Sequence, residues 1–105
     1  MAWHELSGAL FGLARYEESA DAARRCTELD PEEELGWSSL GLALYLLDRP
    51  AQALEAYERA REIDPAYSGY WQYCAEMLEE LGREDEAQAA FARAMDLAAE
   101  EDEAP

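Results

Sequence analysis

Any chemistry in this 105-residue chain must come from a short inventory: two cysteines, one histidine, and 25 acidic residues against eight arginines. Zinc requires cysteine and histidine ligands grouped a few residues apart, and His4 has no such partner. Cys26 and Cys74 stand among apolar and small residues, as buried reduced thiols do, and neither a disulfide nor a metal site is expected. The segment Gly36-Trp37-Ser38-Ser39-Leu40-Gly41 superficially resembles a nucleophile elbow, but Leu40 stands where that turn needs its second glycine. No phosphate loop or HExxH pair is present. The acidic clusters lack the alternating Asp/Asn spacing and the glycine of a calcium loop. Enzyme activity, cofactors and metals are therefore not expected.

The charge is informative in another way. A formal net charge of −17, with no lysine or asparagine in the chain, makes nucleic acid a poor partner, because phosphates would be repelled. The same repulsion excludes anionic membrane surfaces. The acidity either attracts a basic partner or is the solvation chemistry of a salt-rich cytoplasm, and the missing lysine fits a GC-rich or halophilic bacterial source. No apolar run reaches the roughly 18 residues of a membrane span. Leu6 to Ala14 lacks a basic leader and follows Glu5, so it does not read as a signal peptide, and a cytoplasmic location is expected.

What positions these residues is a repeat. Trp3, Trp37 and Trp71 recur at an interval of 34, and Leu6/Leu40, Pro31/Pro65, Ala53/Ala87, Tyr57/Phe91 and Ala60/Ala94 keep the same step. Such a period indicates stacked helix–turn–helix units that bury their apolar faces against one another. First helices are predicted at about 2–14, 33–47 and 68–81, and second helices at about 17–29, 51–63 and 84–99. Pro50 belongs in a first helical turn, where its missing N–H costs nothing. Gly82 suits the position just past a helix end. Pro31 and Pro65 stop the second helices. Ala53 with Ala60, and Ala87 with Ala94, lie two turns apart on one face and allow close approach, with the tryptophans and Tyr57 or Phe91 filling the wedge. Residues 100–105 read as an acidic disordered tail.

Trp37-x-x-Leu40-Gly41, Ala53-x-x-x-Tyr57, Ala60 and Pro65 resemble the tetratricopeptide repeat. The copy from Trp71 reads similarly through Gly82, Ala87-x-x-x-Phe91 and Ala94 but ends in Ala98-Ala99 instead of proline. The copy from Trp3 is looser, with Ala23 in the place of the second-helix aromatic. The resemblance covers nearly all of residues 1–99. It implies an all-α, right-handed α-solenoid of three repeats (about 1–33, 34–67 and 68–99) with six helices.

In that family the first helices line a concave groove for peptide or helical ligands. The corresponding stripe here is His4, Gly8, Phe11 and Gly12, then Ser38, Leu42, Tyr45 and Leu46, then Gln72, Glu76, Glu79 and Glu80. Helix 33–47 is apolar nearly all round, so Leu42, Tyr45 and Leu46 need a cover. Curvature could let neighbouring first helices supply it, or a ligand could. The preferred reading is a protein- or peptide-binding adaptor whose partner carries apolar anchors and a Lys/Arg flank. A self-assembling scaffold and a small acidic chaperone for a basic client are the alternatives. Relatives that clamp chaperone carboxylates use lysine and asparagine, so that activity is not expected here.

Overall fold

The computed structural model describes residues 15–103, without the side chains of 102 and 103. The helix expected at 2–14, with Trp3, His4, Gly8, Phe11 and Gly12, lies outside the described residues. The remainder is helical, with no strand among the described residues. Five helices follow in order: α1 Tyr16–Leu29, α2 Glu34–Leu46, α3 Pro50–Ile63, α4 Ser68–Glu80 and α5 Glu84–Glu103. Each packs chiefly on its neighbours in sequence, which gives the stack that a 34-residue period demands.

The turns repeat as faithfully as the helices. After α2, the Asp48 and Arg49 N–H groups donate to the carbonyls of Tyr45 and Leu44. After α4, Gly82 and Arg83 donate in the same way to Glu79 and Leu78. Both are Schellman closures, which satisfy carbonyls that the helix end leaves unpaired. The closure requires a left-handed residue, and φ is +76° at Gly82 and +59° at Asp48. Pro50 opens α3 as expected, and α1 and α3 each stop two residues before a proline.

The core is built from small residues and a few large ones. Ala20, Ala23, Ala43, Ala53, Ala60, Cys74 and Ala75 have no exposed surface, and Tyr57, Leu44 and Met77 are nearly as covered. Trp37 and Trp71 depart from the expectation that they fill the wedge. They are half-buried and pack against the edge of the core. Each indole N–H donates at 2.9 Å to the carbonyl of the proline six residues earlier, Pro31 or Pro65. Each ring carries a guanidinium, Arg59 at 5.2 Å from Trp37 and Arg61 at 4.4 Å from Trp71. An indole has one polar edge, and tying it to the inter-repeat turn keeps that edge satisfied at the surface.

The C-terminal end is also corrected. Where composition points to a disordered tail from residue 100, α5 continues through Glu103. The tail's Glu101 accepts from the Ser68 N–H at 3.2 Å and from its hydroxyl at 3.1 Å. Ser68 is the first residue of α4, whose N-cap, Tyr67, makes no side-chain capping bond. A carboxylate from the neighbouring helix thus satisfies an orphan donor at the positive end of a helix dipole.

Candidate functional site

The helices α2 and α4 hold the first position in their repeats, and α1, α3 and α5 the second. Charge is divided between these two sets. Every arginine lies on α1, α3 or α5 or immediately before one of them, whereas α2 and α4 carry Glu34, Glu76, Glu79 and Glu80 and no basic residue. The arginines are largely neutralised where they stand. Arg15, Arg24, Arg25, Arg59, Arg61 and Arg83 each pair with a carboxylate three residues away, and Arg49 reaches Glu17 at 2.7 Å. The face presented by α2 and α4 therefore keeps its negative charge.

Two adjoining clefts open on that face. One, of about 250 Å³, is lined by Ser38, Ser39, Leu42, Tyr45, Tyr57, Tyr73, Glu76 and Met77. The other, of about 300 Å³, shares Ser38 and Tyr73 and adds Glu34, Leu35, Asp64, Tyr67 and Tyr70. Neither cleft is lined by a basic residue among the described residues. Tyr57 and Tyr73 stand 5.1 Å apart between ring centres, tilted by 38°, and Tyr67 meets Tyr70 edge-on at 4.8 Å. Burial raises the phenol pKa of Tyr57, Tyr70 and Tyr73; neighbouring Tyr73 and Glu76 push Tyr57 further, while a bond to Ser38 partly offsets the rise at Tyr70. These phenols stay neutral across the physiological range.

The sequence-derived stripe is partly reunited here. Ser38, Leu42, Tyr45 and Glu76 line the smaller cleft together. Gln72 donates to Glu76 across 3.4 Å. Leu46, Glu79 and Glu80 are exposed but line neither cleft. His4 and Phe11 lie outside the described residues. Leu42, Tyr45 and Leu46 keep 43%, 41% and 41% of their surface exposed, so α4 does not cover them. The stripe omitted Tyr57, Tyr67, Tyr70 and Tyr73. Five of the six tyrosines line these two clefts, a concentration visible in the sequence only once the helix faces are known.

A larger cleft of about 610 Å³ lies on the opposite side, between α1 and α3 over Trp37, Leu40 and Leu44. Its arginines are already engaged, Arg24 with Asp21 and Arg59 with Glu62 and the Trp37 ring. Nothing there supplies a nucleophile. On the core side of α4, burial pushes the Cys74 thiol up to about 11, and Cys74 and Cys26 are both buried with no disulfide between them. No group of His, Cys, Asp or Glu able to hold a metal ion occurs among the described residues. No described helix is long and apolar enough to cross a membrane.

Comparison with known proteins places this geometry. Family models described as tetratricopeptide repeat match residues 35–67, and residues 2–33 and 74–101. No curated protein matches the chain. Among solved structures, the crystal structure of MamA superposes with a TM-score of 0.93 at 24% identity, over 97% of this chain and 60% of that one. The second TPR of Spaghetti (RPAP3), bound to the HSP90 peptide SRMEEVD, gives 0.86 at 19% identity, over 90% and 88% of the two chains. The CopN–Scc3 complex contains a chain matching at 0.88 with 21% identity, over 91% of this chain and 56% of that one. This chain thus spans less than two thirds of the MamA chain. The repeat interval, the duplicated turns and the family matches over most of the sequence agree: the chain belongs to the tetratricopeptide-repeat family.

Proposed function

We propose that the α2/α4 face is the concave docking groove of a non-catalytic interaction module. Its partner is a peptide or helical segment with apolar anchors and a basic flank. One observation carries the reading: Leu42, Tyr45 and Leu46 are each more than two-fifths exposed on α2, on a face where α2 and α4 together bear carboxylates and no cation. Apolar groups left uncovered in a row suit the anchors of an amphipathic segment. The surrounding carboxylates favour a cationic partner and steer its approach.

The neighbour that holds SRMEEVD supports the fold's ability to seat a peptide. That ligand carries two glutamates and an aspartate. An acidic peptide meets like charge in the present groove, so the two ligand classes are expected to differ.

The test is fluorescence anisotropy with a capped amphipathic peptide of leucine and arginine, beside one in which glutamate replaces arginine. The leucine/arginine peptide is expected to bind and the glutamate peptide to fail. Tyr45→Ala combined with Leu46→Ala should weaken binding by about tenfold or more, the loss of two apolar contacts, while helicity by circular dichroism is unchanged. Undiminished binding by the folded double variant would remove the groove from consideration.

A further inference from the structure

The smaller cleft has a more specific chemistry than an apolar groove. Tyr45, Tyr57 and Tyr73 wall a space of about 250 Å³ with the Glu76 carboxylate beside them and the hydroxyl residues Ser38 and Ser39 on the α2 side. Aromatic faces carry negative potential and attract cations, most strongly where water is partly excluded. A carboxylate beside such faces supplies the counter-charge, and its two oxygens match the fork of a guanidinium. No arginine of the chain enters this cleft, although seven of the eight are paired elsewhere and two lie over tryptophan rings. The molecule thus covers its outward indoles with guanidinium groups of its own and leaves this tyrosine cluster without one.

We propose that the cleft formed by Tyr45, Tyr57, Tyr73 and Glu76 is a receptor for one arginine side chain of the docked segment. The proposal rests on the docking reading above and assigns the partner's basic group to a place. A leucine seated there would strip water from Glu76 and the serines without replacing their hydrogen bonds. An arginine replaces those bonds and lays its planar group against the accessible Tyr45 and Tyr73 rings, with the buried Tyr57 ring as the floor. The leucine anchors then fall to Leu42, which lines the cleft, and to Leu46, which is exposed on the same helix outside it.

The probe is a capped hexapeptide with two leucines and one arginine, compared with the same peptide carrying citrulline, the neutral isostere of arginine. Affinity is read by calorimetry, and location by the ring resonances of Tyr45, Tyr57 and Tyr73. The arginine peptide is expected to bind about tenfold tighter, the discrimination available from one cation–π contact and one charged hydrogen bond. Glu76→Gln, at an exposed position, should collapse that ratio toward unity with the fold intact, and Tyr73→Leu should do the same. If citrulline binds as tightly as arginine, the cation receptor is overturned while the docking groove stands. If the arginine peptide perturbs Trp37 instead of the tyrosines, both assignments fail. Both fail as well if neither peptide binds.

Discussion

Gly41 illustrates how one residue couples the core to the groove. A Cβ added there would stand 2.8 Å from Cε1 and 2.9 Å from Cδ1 of Tyr57, a ring only 4% exposed. The ring has little room to yield, because Leu54, Met77 and Tyr73 belong to the same packed cluster. Gly41→Ala is therefore expected to destabilise the fold by about 1–3 kcal/mol, the ordinary cost of overpacking a core. Urea unfolding followed by circular dichroism measures it. An unchanged midpoint would mean that the ring moves freely. In the following repeat the equivalent position is already Ala75, and its aromatic, Phe91, is only half-buried. The glycine is thus matched to the deeper seat of Tyr57, the same ring that walls the candidate cation cleft.

Among the elements, the turns after α2 and α4 form a natural experiment. They make the same two backbone bonds, yet one places Asp48 and the other Gly82 in the left-handed region. A side chain there costs energy that glycine avoids, although aspartate is among the residues that tolerate the conformation best. Asp48→Gly should stabilise the domain by about 0.5–1 kcal/mol, and Gly82→Ala should destabilise it by about 1 kcal/mol. The two thermal midpoints should move in opposite directions. Shifts of the same sign would contradict the assignment of strain to these positions. The α4/α5 pair adds a contact that no sequence period marks, since Glu101 reaches Ser68 across a separation of 33 residues. That contact falls in the stretch composed like a disordered tail, which instead forms the last turns of α5.

For the whole molecule, charge governs the response to solution conditions. A net charge of −17 with seven of eight arginines paired leaves most carboxylates repelling one another. The surface ion pairs contribute little each, and six of the seven join residues three apart on one helix or at its start, so they do little to hold one helix to another. Screening should therefore help the fold more than it harms it. Raising salt from about 0.1 M to about 1 M shortens the screening length from about 10 Å to about 3 Å. The urea midpoint is expected to rise over that range. A flat or falling midpoint would show that self-repulsion is not what limits stability. Peptide docking should respond oppositely and weaken with salt, because its steering and its cation contact are both electrostatic.

The sequence by itself determined the family, the 34-residue register and four of the five described helices to within one residue at each end. It could do so because proline, glycine and the small-residue pairs act locally, through backbone geometry and helical spacing. It also determined that Leu42, Tyr45 and Leu46 share one helix with no polar face to turn outward. Only the tertiary structure decided that α4 leaves them uncovered, that the tryptophans sit at the rim with their N–H groups tied to prolines, and that α5 runs on to Glu103. It alone gathered five tyrosines from α2, α3, α4 and the turn before α4 onto one face. Those outcomes depend on how helices cross and which side chains meet from distant positions, and a one-dimensional period carries no record of that.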